Sequence, residues 1–96
     1  MSEVTITRHG SGKAGEYHAR VAGSGHIGRL TWVERNGARV VEHTTVPPAI
    51  GGRGVAARLV DALVADAREQ RFKVSPVCSY VVAKFDEHPE WADVRA

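Results

Sequence analysis

The first half of the chain alternates apolar and polar positions, a pattern typical of strands that bury one face. Strands are predicted over 4–7, 16–22, 26–35 and 38–46. A glycine-rich loop is predicted over 9–15, and a bulge is expected in the third strand near Gly28. Asn36-Gly37 predicts a two-residue hairpin turn, because both positions of a type I′ turn need positive φ. The pattern therefore predicts a run of four antiparallel strands.

The pattern becomes helical after Pro47-Pro48, where a strand must end because proline offers no N–H to a sheet. Apolar residues then fall at positions 56, 59, 60, 63, 64 and 67. This is the spacing of a helix with one buried face. We expect the helix to end near Gln70 or Arg71, and we expect Asp66 to lie off its buried stripe.

A fifth strand is predicted over 72–77, parallel to the fourth because a helix joins the two. A second helix is expected over 79–87, ended by His88-Pro89, with Trp91 anchoring a short tail to the core. The predicted fold class is therefore α/β (α+β), with antiparallel strands 1–4, a helix, a parallel strand 5 and a C-terminal helix.

Composition narrows the class of protein. A chain of 96 residues, 43% hydrophobic and 25% charged, is expected to form a single domain over 1–96. No apolar run approaches the roughly 20 residues of a membrane span, and we see no secretory signal, so no membrane partner is expected. The lone cysteine favours a reducing, cytoplasmic setting. A net charge of +2 without runs of like charge argues against a nucleic-acid partner.

The strongest chemical signal is the glycine-rich segment before the first helix. Gly51, Gly52 and Gly54 remove Cβ atoms where a ligand would approach the backbone. The first N–H groups of a helix lack internal partners and favour an anion. Arg53 and Arg58 can add charge-assisted hydrogen bonds to phosphate. The alternative is a helix that begins with glycines and binds nothing.

Two familiar phosphate-binding patterns do not fit this segment. A Walker A loop needs Lys and then Ser or Thr after its last glycine, and here Val55-Ala56 follow Gly54. The spacing Gly52-x-Gly54-x-x-Ala57 meets the dinucleotide pattern on paper. The strand that follows nevertheless ends near Val77 without the acidic residue that this pattern requires.

The segment over 51–56 resembles the acetyl-CoA loop of the GNAT acetyltransferases, written Gln/Arg-x-x-Gly-x-Gly/Ala, except that Gly51 replaces the usual Gln or Arg. Nearly the whole chain is similar to the small, compact single-domain GNAT-like proteins of the NATD1 type. The similar stretches are His43-Thr44-x-Val46-Pro47, Gly52-Arg53-Gly54-Val55-Ala56-x-x-Leu59-Val60, Pro76-x-Cys78-Ser79-Tyr80-Val81 and His88-Pro89-Glu90-Trp91. The resemblance implies a GNAT-like acyl-CoA N-acyltransferase fold, acetyl-CoA as cofactor, and an amine acceptor that it does not identify.

The resemblance also implies a set of site residues. The expected cofactor-binding residues are Thr44, Val46, Gly51, Gly52, Arg53, Gly54, Val55, Ala56, Arg58 and Ser79. The pantetheine arm would enter where the fourth and fifth strands splay apart, with the thioester near Cys78 and Tyr80. Tyr80 would protonate the departing thiolate, and Cys78 would accept the acetyl group or polarise the thioester. Core packing is the open alternative for both side chains.

The base is less well defined. Glu42 and His43 are expected on opposite faces of the fourth strand, and either can take the amine proton. His43 is the preferred candidate because imidazole exchanges protons near neutral pH, although a structural histidine is the open alternative. The other histidines lack ligand spacing, so no metal site is expected. Two functions remain, an N-acetyltransferase and a non-catalytic acyl-CoA-binding module.

Overall fold

A computed structural model describes residues 3–96. Residues 1 and 2, which belong to the N-terminal segment in which no secretory signal is expected, lie outside the described residues. The elements are β1 (Val4–Ser11), β2 (Ala14–Val21), β3 (Ile27–Arg35), β4 (Ala38–Thr45), α1 (Val55–Gln70), β5 (Lys73–Pro76) and α2 (Ser79–Glu87), with 3₁₀ helices at Pro48–Ile50 and Pro89–Val94. The strands form one sheet in the order β1-β2-β3-β4-β5. The first four are antiparallel and β5 is parallel to β4, so the predicted fold class is confirmed.

The β1–β2 hairpin is longer than predicted. The segment over 9–15 is not a loop, because Gly10 pairs with Gly15 and Ser11 pairs with Ala14. Gly15 also lies beneath Trp32, and a Cβ at this position would come within 2.6 Å of the indole ring. Two of these glycines therefore serve strand pairing, and Gly15 in addition makes room for the tryptophan.

The β3–β4 hairpin turns at Asn36 and Gly37, whose φ values of 54° and 80° confirm the predicted turn. The pairing shifts beyond it, because Trp32 lies opposite Val41 while Thr31 lies opposite His43. Glu42 is thus an extra residue in β4.

The bulge expected near Gly28 is wrong, since Gly28 keeps regular pairing with Ala19. This glycine instead allows β3 to approach the start of α1. A Cβ on Gly28 would lie 2.9 Å from a methyl group of Val55.

The core lies between α1 and the sheet, where α1 packs across β1, β2 and β3. Its helical stripe is buried as predicted, with Leu59, Val60 and Leu63 fully enclosed. Asp66 is buried too, contrary to expectation, and is only 7% exposed. Asp66 faces β1 and β2, where it ion-pairs with Arg8 and accepts a hydrogen bond from the Tyr17 hydroxyl.

The C-terminal segment is more ordered than the predicted tail. Trp91 is buried as expected, stacked on the His88 ring at a centroid distance of 4.1 Å and edge-on to Phe85. Arg95 then forms an isolated bridge with Val74 of β5. Within residues 3–96, no helix is both long enough and apolar enough to cross a membrane.

Candidate functional site

The glycine loop is an open surface. The 3₁₀ helix Pro48–Ile50 anchors its start through buried Ile50, and the Gly51 N–H donates to the carbonyl of Pro48. Gly52 and Gly54 then adopt φ values of 73° and 71°, which only glycine reaches without strain. A Cβ at either position would meet no other atom within 4 Å. The loop therefore leaves space above it.

The N-terminus of α1 points into this open space. Its N-cap residue, Gly54, has no side chain to cap the helix, and its first turn, Val55-Ala56-Ala57, is apolar. Val55 is buried against Gly28, so it presents only its backbone to the loop. A 16-residue helix with an uncapped N-terminus concentrates partial positive charge at that end. Arg53 and Arg58 are both exposed near it and add formal charge.

Strands β4 and β5 separate close to this helix end. Their pairing stops at Val41 and Pro76, and the N–H groups of both Val77 and Cys78 donate to the carbonyl of Val41. β4 continues to Thr45, but within residues 3–96 no strand pairs with it on the β5 side beyond Val41. The edge of β4 over 42–45 thus has backbone groups available to an extended ligand.

Cys78 lies at the junction between β5 and α2. Its Sγ is 3.7 Å from Oγ1 of Thr44, and this contact joins the diverging ends of β4 and β5. Burial alone would raise the pKa of the thiol, but the N–H groups of Tyr80 and Val81 and the Thr44 hydroxyl hold that pKa below its usual value. The two N–H groups point towards Sγ at the start of α2, although neither makes a full capping hydrogen bond to it. The thiol is therefore poised to become a thiolate more readily than an ordinary cysteine.

The predicted base residues lie on the other face of the sheet. Val41 and Thr44 both face the core, opposite buried Trp32 and Leu30, so the bulge leaves Glu42 and His43 together between them. The prediction that these two residues point to opposite faces is wrong, because it assumed an unbroken alternation. His43 is exposed, and Glu42 lines a cavity of about 420 Å³ on the outer face.

Glu42 is the site residue that sequence reasoning valued least. It directly follows Val41, the last residue of β4 that pairs with β5, so it lies at the point where the strands diverge. Thr31, Trp32 and Val33 of β3 also line this cavity. The sequence named Glu42 beside His43 as a possible base, but it did not show the bulge, because a bulge becomes visible only through the register of the partner strand.

The remaining predicted residues have mixed environments. Tyr80 is half-buried against the core, with the Lys84 ammonium 5.6 Å from the centre of its ring, and Ser79 is exposed. The side chain of Val46 packs on the core. The structure brings Thr44 and Cys78 together, and places His43 apart from them. Among residues 3–96, no group of His, Cys, Asp or Glu side chains is arranged to hold a metal ion.

The sheet is mixed, a helical crossover joins β4 to β5, and an uncapped helix N-terminus lies at that crossover. These features define an α/β protein with a candidate anion site at the start of α1. The sequence profile of the GCN5-related N-acetyl-transferase family matches residues 16–94. The chain therefore belongs to the GCN5-related N-acetyltransferase family. No curated protein shows a significant match to it.

Proposed function

We propose that this protein is an acetyl-CoA-dependent N-acetyltransferase whose loop over 51–56 holds the pyrophosphate of the cofactor. The observation that carries the proposal is the uncapped N-terminus of α1 facing unobstructed glycines at positions 52 and 54. Backbone N–H groups and the helix dipole favour a phosphate there, and the missing side chains let it come close. Arg53 and Arg58 add positive charge around the same space.

The pantetheine arm would follow the open edge of β4 and hydrogen-bond to the backbone of Thr44 and Val46. Its thioester would then lie between the two faces of the sheet, with Cys78 on one side and Glu42 and His43 on the other. The amine would approach from the cavity beside Glu42 and lose its proton to Glu42 or His43. Its nitrogen would attack the thioester carbonyl, and the C–S bond would break to release CoA thiolate. Cys78, Ser79 and Tyr80 surround the position of that sulfur and are the proposed sources of its stabilisation or its proton.

The similarity of the four stretches quoted above leads us to place the protein among the compact NATD1-type members of the family. We also propose a cytoplasmic location, supported by the single cysteine, which is free of any disulfide. The acceptor is an amine on a small molecule or a protein.

A non-catalytic acyl-CoA-binding module is the second candidate. It is favoured by the separation of Cys78 from His43 by the sheet: within residues 3–96, the hydrogen-bond partner of the thiol is the Thr44 hydroxyl and not an imidazole or a carboxylate. Gly51 in place of the usual Gln or Arg points the same way.

Binding is tested by thermal unfolding with acetyl-CoA, using NAD and ATP as phosphate-bearing controls. At a ligand concentration of 100 times Kd, binding to the native state adds about 2.7 kcal/mol of stability. For a chain of this length, that corresponds to a rise in Tm of roughly 10–20 °C. A rise with acetyl-CoA alone supports the proposal, and an unchanged Tm at saturating acetyl-CoA refutes it.

Catalysis is tested by release of free CoA over a panel of primary amines. Turnover with any amine favours the enzyme, whereas binding without turnover favours the module. Loss of turnover in Glu42→Gln or His43→Ala, with Cys78→Ala active, supports direct transfer. The reverse result supports an acetyl-thioester on Cys78.

A further inference from the structure

A second polar cavity lies at the end of α1 opposite to the glycine loop. It has a volume of about 300 Å³ and is lined by the β1–β2 hairpin, by Trp32 and Arg39, and by Asp66 and Gln70 of α1. Arg39 belongs to the first residues of β4, whereas the proposed acetyl-CoA edge belongs to its last residues. The two places are thus at different ends of the same strand.

Arg39 is held rigidly in this cavity. Its guanidinium lies 3.9 Å from the ring centre of Trp32 and 4.0 Å from that of Phe72, so the two aromatic side chains flank it. One of its N–H groups donates to the hydroxyl of Tyr17 at 3.1 Å, and this is its one hydrogen bond within residues 3–96. A guanidinium has five N–H donors, so most of the donors of Arg39 remain available to a ligand.

The carboxylates around Arg39 are already paired with other groups. Asp66 accepts two hydrogen bonds from Arg8, at 2.7 and 3.0 Å, and one from the Tyr17 hydroxyl at 2.6 Å. Glu16 lies 2.7 Å from the ring nitrogen of His18. Within residues 3–96, no acidic side chain forms an ion pair with Arg39, although Arg39 is half-buried and its charge helps to lower the pKa of Asp66.

We propose that this cavity binds the carboxylate group of a small organic acid, with the Arg39 guanidinium as its recognition element. The planar fork of Arg matches a carboxylate with two parallel hydrogen bonds, and stacking between two rings fixes the orientation of that fork in advance. The proposal does not depend on acetyl-CoA binding, because Arg39, Tyr17 and Asp66 are not among the proposed cofactor residues; Trp32 and Glu16 line both this cavity and the cavity beside Glu42.

Two features select a carboxylate over other anions. Asp66 and Glu16 line the same cavity, and their charges, although paired, repel a phosphate dianion more strongly than a carboxylate with a single charge. The volume lies at the lower end of the range of about 300–1,000 Å³ for small-molecule sites, which limits the ligand to a few carbon atoms or one aromatic ring.

The test is a titration of the ¹⁵N-labelled protein with acetate, succinate and benzoate, followed by amide and indole NMR signals. Acetamide, succinamide and benzamide are shape-matched neutral controls, and inorganic phosphate is the competing anion. The Trp32 indole signal is expected to shift and saturate with at least one carboxylate, while the Trp91 signal stays in place. Equal responses to carboxylate and amide, tighter binding of phosphate, or no saturable shift with any carboxylate would overturn the proposal.

Substitutions identify the recognition element. Arg39→Lys keeps the charge but loses the fork, and Arg39→Gln loses both, so carboxylate affinity is expected to fall about tenfold or more in each. Arg20→Gln removes an exposed charge from the far end of β2 and is expected to leave affinity unchanged. A dispersed amide spectrum verifies folding, and if Arg39→Gln unfolds, Arg39→Lys decides the question. Wild-type affinity in a folded Arg39 variant would refute the assignment.

Discussion

Gly54→Val tests whether the uncapped end of α1 holds a phosphate. Gly54 has φ of 71°, and a Cβ built there has no atom within 4 Å apart from its chain neighbours, so the start of a valine side chain would point into open space. Its branched side chain would instead occupy the space into which the first N–H groups of the helix point. We therefore expect the substitution to remove acetyl-CoA binding while the fold remains.

Strain must be separated from loss of the ligand, and Gly37→Val is the matched control. Gly37 has φ of 80°, is equally open, and lies in the β3–β4 turn at the opposite end of β4. A non-glycine residue in this region costs about 1–3 kcal/mol. Both variants should therefore lose roughly 4–24 °C in Tm without ligand.

The assay is thermal unfolding of both variants with and without acetyl-CoA. The Gly37 variant is expected to keep the full ligand-induced rise in Tm, and the Gly54 variant to lose it. Equal rises in the two variants would show that the space above Gly54 is not the phosphate site. Loss of the rise in both variants would show that strain, and not obstruction, governs binding.

Three further outcomes are expected. Hydrogen bonds from Arg8 and Tyr17 outweigh burial and lower the pKa of Asp66, so Asp66 stabilises the fold at neutral pH and this stabilisation is lost as pH falls below about 4. In urea unfolding, Asp66→Asn should lower the free energy of unfolding by about 1–3 kcal/mol at pH 7 and make that free energy depend less on pH in acid. Gly15→Ala should destabilise by about 1–3 kcal/mol through overpacking under the indole, whereas Gly12→Ala, with no atom near its Cβ, should stay within about 0.5 kcal/mol. The rate of Cys78 alkylation by iodoacetamide should have a pH midpoint below that of a free thiol, and Thr44→Val should raise this midpoint. A wild-type midpoint at the value of a free thiol would contradict a role for the contact between Cys78 and Thr44.

Much of the fold was predictable because each element has a clear period. The helical stripe after Gly54 and the Asn36-Gly37 turn depend on neighbours along the chain, so local sequence is enough to identify them. The order of the strands followed from the same logic, since short turns produce antiparallel neighbours and a helical crossover produces a parallel one. The glycine loop could be proposed as a phosphate site because its glycines and the helix after it are also adjacent in sequence.

The features that were missed depend on contacts between distant segments. Gly15 appeared to mark a loop because nothing nearby in sequence shows that Trp32 will lie on it. Asp66 appeared to be a surface residue, since its partner Arg8 lies 58 residues away. Cys78 and Thr44, which are 34 residues apart, meet only because β4 and β5 are neighbours. Periodicity carries no information about such pairs.

The register of β4 determines which residue can be deleted from the strand without disturbing the sheet. Trp32 faces Val41 and Thr31 faces His43, so a shorter chain without Glu42 would keep both of these partners and every other rung of the ladder. Deleting Val41 or Thr44 would instead bring an outward-facing residue opposite buried Trp32 or Leu30. The sheet can thus be assembled without this carboxylate, so Glu42 is free to serve chemistry at no cost to strand pairing.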